Sequence, residues 1–164
     1  MKSNTAMRAL LADAMIVGPL NPALNAIVDR GFNVREGCYF LAALLPAAKN
    51  VTRDSFPDRT GYECFVNSIH VEDYDDKAPL CQAIQFVICT FAAWRASVPT
   101  LTLLSVISAD EYSVVVKFHV KRPAEQWLSE NVEGYEDPIL SVESSEDLAR
   151  TVATLNRGAK RAST

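Results

Sequence analysis

A strict alternation of side chains runs through Tyr112-Ser113-Val114-Val115-Val116-Lys117-Phe118-His119-Val120-Lys121. Counting from Tyr112, every second residue is aromatic or aliphatic, and most of the positions between them are polar, among them Lys117 and His119. Successive side chains of a β-strand point to opposite faces of a sheet. The pattern therefore predicts a strand over residues 112–121 with one core face and a wetter face that carries His119.

Neighbouring segments extend this strand to a sheet. Leu101–Ser108 is a second strand candidate, and the short link Ala109-Asp110-Glu111 makes the two a hairpin. Apolar residues in short runs predict further strands over residues 62–71, where a helix stays open as the alternative, and over residues 139–142. These four segments predict one mainly antiparallel sheet.

A long apolar helix is predicted from Pro79 to Ala96, between the strand segments 62–71 and 101–108. Apolar residues cover it almost all round, and Val98-Pro99 ends it because a residue before proline is disfavoured in a helix. A helix that is apolar on nearly every side belongs in the middle of a domain. We therefore expect it to pack across one face of the sheet.

The first fifty residues are predicted to be helical. Asn21-Pro22 is a helix start and Gly31 a stop, while the apolar run Cys38–Ala48 has helical composition interrupted by Pro46. Residues 50–61 are typical of an irregular loop. Ser144, with Asp147 three residues later, predicts a final helix that ends at Leu155.

The sequence thus predicts a single α+β domain over residues 1–164: a helical N-terminal part and a mainly antiparallel sheet with a central apolar helix packed on it. Residues 1–3 and 157–164 are expected to fray.

Composition limits the class of function. The chain has 49% hydrophobic residues, a net charge of −4 and a pI near 5.2, which argues against nucleic acid as the partner. No apolar run approaches the roughly 18 residues of a membrane helix. Asp13 interrupts the apolar segment Leu10–Val17, and no small-residue cleavage site follows it, so a secretory leader is not expected. These features predict a cytoplasmic protein without a membrane partner.

The four cysteines, Cys38, Cys64, Cys81 and Cys89, are predicted to be buried free thiols. Their spacings include no C-x2-C pair, and Cys81 and Cys89 would lie about 12 Å apart along one helix, too far for a disulfide. Cys64 and His70 remain open as a nucleophile pair, although no protease signature surrounds them. We therefore expect no catalytic residue, no metal ligand and no cofactor.

Acidic residues cluster in the turn Glu72-Asp73-Tyr74-Asp75-Asp76. Its carboxylates could hold a divalent cation, but the spacing matches no calcium loop. Acids at a helix N-terminus or in a solvated turn are the commoner explanation, and contact with a partner is the third.

The segment Pro123–Ala149 is more unusual. It contains eight acids and no lysine or arginine, so its charge is −8 and the rest of the chain carries +4 (−4 minus −8). Trp127, Leu128, Val132 and Tyr135 are interleaved with these acids. Aromatic residues surrounded by charge are typical of a protein-binding surface, whereas the alternative is a solvated loop that its aromatics pin to the core.

Two stretches resemble bacterial immunity proteins that neutralise toxins of contact-dependent growth inhibition. They are the strand Tyr112–His119 and Gln126-Trp127-Leu128-Ser129-Glu130-Asn131-Val132-Glu133-Gly134-Tyr135-Glu136-Asp137-Pro138. The resemblance covers about the last third of the chain. It implies a cytoplasmic inhibitor of a cognate toxin domain, a basic one if the toxin is a nuclease, because such enzymes bind phosphate.

The expected partner-binding residues come from both acidic segments. They are Asp73, Asp75 and Asp76 of the turn and Trp127, Glu130, Glu133, Tyr135, Glu136 and Asp137 of the longer segment. Two other classes of function remain open. One is a small enzyme of unrecognised type, and the other is an accessory or chaperone subunit that uses an exposed apolar patch.

Overall fold

A computed structural model describes residues 1–14 and 18–162, with side chains as far as residue 155. In chain order its elements are β1 (Lys2–Ser3), α1 (Thr5–Asp13), α2 (Pro22–Asp29), β2 (Phe32–Arg35), β3 (Cys38–Leu41), α3 (Arg59–Val66), β4 (Ser68–His70), α4 (Pro79–Ser97), β5 (Leu103–Ala109), β6 (Val114–Val120), β7 (Ile139–Glu143) and α5 (Leu148–Ala162). Short 3-10 turns lie at Leu45–Ala48, Arg53–Ser55, Val71–Asp73 and Val132–Gly134. The predicted α+β fold class is confirmed.

Five strands form the main sheet in the order β1-β7-β5-β6-β4, with every neighbouring pair antiparallel. The predicted hairpin is its centre, and β5 pairs with β6 from Leu103↔Val120 to Ala109↔Val114. Asp110 closes the connection, because its carboxylate accepts the backbone N–H groups of Tyr112 and Ser113 at 2.7 Å each. The strand predicted at 139–142 is present as β7.

Helix α4 packs across one face of this sheet, as predicted. It begins with Pro79 at its first position, where the missing N–H of proline costs nothing. The rings of Phe86 and Phe91 meet Phe118 of β6 edge-on, with centroids 5.7 and 6.3 Å apart. The central apolar helix and the apolar face of the hairpin therefore form one core.

The helix predicted over Cys38–Ala48 is wrong, because residues 32–41 form a second small hairpin of β2 and β3. Its turn is Glu36-Gly37, with φ angles of 55° and 72°, the left-handed conformation that suits a two-residue hairpin loop. Trp94 of α4 contacts both of its strands, since its ring lies 4.9 Å from that of Phe32 and 5.3 Å from that of Tyr39. Tertiary packing outweighs the helical composition here.

The predictions for residues 50–71 are partly wrong. Helix α3 occupies Arg59–Val66, and only Ser68–His70 forms a strand. Asp58 begins the helix, because its carboxylate accepts the backbone N–H of Gly61 at 2.6 Å. The helix overlaps both the expected loop and the expected strand.

Both ends of the described chain belong to secondary-structure elements. Lys2 and Ser3 form β1 against Ser141 and Leu140 of β7. Helix α5 continues to Ala162, beyond the predicted end at Leu155; Ser163 and Thr164 lie outside the described residues, as do Met15–Val17 of the N-terminal apolar segment.

The final helix also starts differently from the prediction. Its cap is Asp147, whose carboxylate accepts the N–H of Arg150, whereas the Ser144 hydroxyl accepts the N–H of Leu103.

The second face of the sheet is not the wet face that alternation predicts. His119 is only 5% exposed, and Val106 of β5 is also buried. Helix α3 packs beside β6, and the segment between β6 and β7 lies over this face.

Candidate binding face

Two side chains of the α3 region join the small hairpin to the main sheet. Strand β4 stops pairing with β6 at Ser68↔Lys117. Beyond that point the Glu63 carboxylate accepts the N–H of Val120 at 2.7 Å, and the Asn67 side-chain amide donates to the carbonyl of Phe118 at 3.2 Å. These groups satisfy the β6 edge where no strand continues.

The same two side chains also hold β3. Glu63 accepts the N–H of Tyr39 at 2.7 Å, and the Asn67 amide accepts from Leu41 at 2.8 Å and donates to Tyr39 at 2.9 Å. Glu63 and Asn67 are four residues apart, so one side of the helix presents both. Sequence reasoning missed both residues, since an acid within an apolar run gives no sign that it is buried.

Arg122 supplies the charge that the buried Glu63 carboxylate requires. Its two terminal nitrogens lie 2.6 and 2.9 Å from the two Glu63 oxygens, and Glu63 has no exposed surface. Burial alone would lower the pKa of Arg122, but the hydrogen bonds and charge of Glu63 outweigh it and raise that pKa. A two-pronged pair of this kind fixes geometry as well as charge.

The segment after Arg122, residues 123–138, is called the acidic loop below. Glu125 anchors its start, because the carboxylate accepts the N–H of Thr60 at the beginning of α3 at 2.8 Å and lies 3.8 Å from Arg122. Burial would raise the pKa of Glu125, but the Thr60 N–H and the Arg122 charge outweigh burial and lower it. This end of the loop is tied to the Glu63–Arg122 pair.

The N-terminal segment anchors the far end of the loop. Asn4 is buried, and its amide donates to the carbonyls of Tyr135 and Asp137 at 3.3 and 2.7 Å. Glu133 accepts the N–H of Thr5 at 2.9 Å and pairs with Arg8 at 2.7 Å. The hydrogen bonds of Thr5 and Arg8 lower the pKa of Glu133. Glu133, predicted to contact a partner, thus has a structural role.

Tyr135, another residue predicted to contact a partner, makes contacts within the loop itself. The ring is half-buried, and its hydroxyl accepts the N–H of Ser129 at 3.0 Å. Val132, which lies between Ser129 and Tyr135 in the sequence, is buried. The middle of the loop is therefore fixed by its own contacts.

Distant residues balance much of the charge of Pro123–Ala149. Besides Glu125 and Glu133, Glu143 pairs with Lys121 at 2.6 Å, and Glu146 pairs with the N-terminal amine. Asp147 caps α5. The remaining acids, Glu130, Glu136 and Asp137, are exposed and form no ion pair with any described side chain. The unbalanced part of the segment is thus these three acids.

Trp127 is the exposed aromatic side chain of the acidic loop, at 41% exposure. The Lys117 ammonium lies 5.9 Å from the centroid of its ring, within reach of a cation–π contact. Trp127 and Phe65, which is 54% exposed, both line an apolar groove of about 360 Å³. Trp127 therefore belongs both to the charged acidic loop and to the wall of this apolar groove.

The turn with Asp73, Asp75 and Asp76 is not joined to this face. The Asp75 carboxylate accepts the N–H groups of Lys77 and Ala78 at 3.0 Å each, just before α4. Tyr74 packs against the core on the α4 side of the sheet. Asp73 and Asp76 are exposed. The structure does not bring these acids together with the acidic loop.

A cavity of about 410 Å³ lies between the second sheet face and the acidic loop, and it is called the loop cavity below. Its apolar walls come from Leu104, Val106, Trp127, Leu128 and Val132. His119 also lines it, and burial lowers the pKa of His119. Lys2, Lys121, Arg122, Glu125, Glu143 and Glu146 complete most of the polar lining.

The structure gives the Cys64 and His70 pair no nucleophile geometry. Nδ1 of His70 lies 2.9 Å from the Glu72 carboxylate, and Cys64 is buried, which raises the pKa of its thiol. Cys38 is also buried, whereas Cys81 and Cys89 are half-buried, and none of the four forms a disulfide. Within the described part of the chain, no three His, Cys, Asp or Glu side chains cluster as metal ligands would.

The fold and this face define an α+β protein whose irregular loop is hydrogen-bonded at both ends and lies over one face of a sheet. The chain belongs to the Uncharacterized protein PM0498 family, whose model matches residues 2–159. No curated protein and no solved structure matches it. None of the helices in the described ranges is both long and apolar enough to cross a membrane.

Proposed function

We propose that this protein binds a basic partner protein through the exposed side of its acidic loop and thereby neutralises it. The observation that supports the proposal is the position of Trp127, 41% exposed, on the same loop as three exposed acids, Glu130, Glu136 and Asp137, that form no described ion pair. Aromatic anchors ringed by charge are typical of protein interfaces.

The loop is organised before a partner arrives. Its start is held by Glu125 on Thr60 and its end by Asn4, while the Tyr135 hydroxyl holds its middle. Ordering side chains and loops on binding reduces affinity, so a loop fixed in advance loses less. The contacts within the loop therefore favour binding as well as stability.

The charge pattern favours a basic partner. Exposed acids without a counter-charge attract a positive surface and accelerate association. Enzymes that bind nucleic acid need such a positive surface for phosphate. The resemblance to immunity proteins agrees with this charge argument. The proposed partner is therefore a toxin domain, of which a nuclease is the simplest example. The protein would neutralise it in the cytoplasm by covering its surface rather than by catalysis.

The acids of the turn are left out of the proposed surface. Asp75 stabilises the approach to α4, and Tyr74 faces the core on the α4 side of the sheet. Asp73 and Asp76 remain exposed, which makes them suitable control positions.

A growth experiment tests this function. Proteins that co-purify with the tagged chain from its native host are identified, and each is expressed alone and together with the chain. The expected result is a basic partner that stops growth alone and is tolerated with the wild-type chain. A variant with Glu130, Glu136 and Asp137 replaced by lysine should fail to restore growth, whereas one with Asp73, Asp76 and Glu111 replaced should restore it. A partner that is harmless, or one that both variants neutralise, contradicts the proposal.

A further inference from the structure

We propose that the loop cavity is a binding site for a small, neutral aromatic molecule that carries an N–H or O–H donor. The cavity measures about 410 Å³, within the range of roughly 300–1,000 Å³ typical of small-molecule sites. Glu130, Glu136 and Asp137 do not line it, whereas Trp127 does, so the site shares Trp127 with the proposed partner surface.

His119 provides the polar group of this site. Its Nδ1 lies 3.2 Å from the Val120 carbonyl oxygen, which only accepts hydrogen bonds, so Nδ1 carries the proton. In the neutral ring Nε2 is then an acceptor, and it has no hydrogen-bond partner among the described residues. The side chain is 95% buried (5% exposed) and lines the cavity. Nε2 itself is not fully enclosed, and a ligand N–H or O–H in the cavity would supply the hydrogen bond that it does not receive from the described residues.

The neutral state of this histidine is consistent with its surroundings. Burial is the largest influence and lowers the pKa of His119, while the Glu63 charge raises it and the Arg122 charge lowers it. The imidazole is therefore uncharged near neutral pH, and a ligand donor is better suited to it than an anion.

Most charged groups in the lining are paired with an opposite charge. Lys121 pairs with Glu143 at 2.6 Å, and Arg122 pairs with Glu63 at 2.6 Å. The N-terminal amine pairs with Glu146. Lys2 also lines the cavity, but it is exposed, and water screens its charge. Nothing in this balance selects a strongly charged ligand.

The walls of the cavity indicate the shape and polarity of the ligand. Trp127 forms one wall, and Leu104, Val106 and Leu128 contribute aliphatic surface. Aromatic rings stack on tryptophan or meet it edge-on, which favours a planar ligand. A phenol or an indole has this shape together with the single donor that His119 would accept.

The test uses phenol and indole as donor probes, with anisole as the matched probe that lacks the donor and benzoate as the anionic probe. Nitrogen NMR of the intact protein follows the His119 Nε2 resonance during each titration. We expect phenol and indole to shift that resonance and to bind about tenfold more tightly than anisole, the effect of one hydrogen bond. Replacing the exposed His70 with alanine should leave the titration unchanged, and replacing His119 with alanine should abolish the preference for phenol.

The wild-type titrations suffice even if the His119→Ala variant does not fold. Anisole binding as tightly as phenol, an unshifted His119 Nε2 at saturation, tighter binding of benzoate, or no binding of either donor probe up to its solubility limit would each overturn the assignment.

Discussion

Glu63 is fully buried, and both of its carboxylate oxygens accept from the guanidinium of Arg122, at 2.6 and 2.9 Å. The same oxygens accept the N–H groups of Tyr39 and Val120 at 2.7 Å each. One side chain of α3 therefore links the small hairpin, the edge of the main sheet and the start of the acidic loop. The pair connects the core to the face proposed to bind a partner.

Removing Arg122 should be strongly destabilising. An Arg122→Ala variant leaves the Glu63 charge buried without compensation, and breaking such pairs costs about 3–5 kcal/mol. Urea unfolding measures this loss. Lys121→Ala is the matched control, because the pair of Lys121 with Glu143 is partly exposed and should contribute only about 0.2–1 kcal/mol. Equal losses in the two variants would show that the Glu63–Arg122 pair has no special structural role.

Asn4 should hold the end of the acidic loop. Its carbonyl oxygen accepts the N–H groups of Met7 and Ile139 at 3.0 Å each, so Asn4→Ala removes a helix cap and leaves buried groups unsatisfied. We expect a loss of about 1–3 kcal/mol. Hydrogen exchange should become faster at Ile139. Asn131→Ala, which affects an exposed cap within the loop, should change Ile139 little. Unchanged protection of Ile139 in Asn4→Ala would contradict this role.

Stability should fall as the pH drops below about 6.5, because burial lowers the pKa of His119 from its ordinary value of 6.5. The unfolded chain then binds a proton at a higher pH than the folded chain, so stability is full above pH 6.5 and is lost as the pH falls through the folded pKa. Glu63, Arg122 and Asp58 also influence this group, but less than burial does.

Urea unfolding between pH 5 and 7.5 measures the effect. A His119→Gln variant should lose this part of the pH dependence, whereas a His70→Gln variant should keep it. A wild-type protein with constant stability across this interval would show that His119 is not held neutral by the fold.

The hairpin and α4 were predictable because each depends on a local pattern. The alternation located β6, which spans Val114–Val120 within the predicted 112–121, and the all-round apolar segment forms α4. Residues 38–41 were not predictable in the same way, since their strand exists through contacts with Trp94 and Asn67. The Glu36-Gly37 turn was the available local indication of that hairpin.

The candidate site shows a similar division. Composition located the acidic segment and Trp127, but charge counting along the chain could not show that Glu133 pairs with Arg8, 125 residues away. Nor could alternation show that His119 is covered, because the acidic loop that covers it is irregular. Long-range pairing, rather than local pattern, decides which acids remain without an ion pair.

The buried thiols should react only when the protein opens. Burial raises the pKa of both Cys38 and Cys64, so the reactive thiolate is scarce as well as inaccessible. A thiol reagent should label the half-buried Cys81 and Cys89 first, and mass spectrometry of digested protein identifies the order. Denatured protein is the control, in which all four should react together. Fast labelling of Cys64 in native protein would contradict its buried position and favour an enzymatic role.

The matched pair of lysine variants isolates the contribution of the acidic loop to binding. Glu130, Glu136 and Asp137 in one variant, and Asp73, Asp76 and Glu111 in the other, are all exposed. Each replacement changes the charge by two, so both variants move from −4 to +2 (−4 plus 6). Any difference between them therefore reflects position rather than net charge.

The most direct measurement is the affinity of the captured partner for the wild-type chain and these two variants at low and high salt. The loop variant should bind at least about tenfold more weakly at low salt, mainly through slower association, and its affinity should change little with salt. The control variant should keep most of the wild-type affinity and its salt dependence. Wild-type affinity in the loop variant, or an equal loss in the control, would contradict a partner surface on the acidic loop.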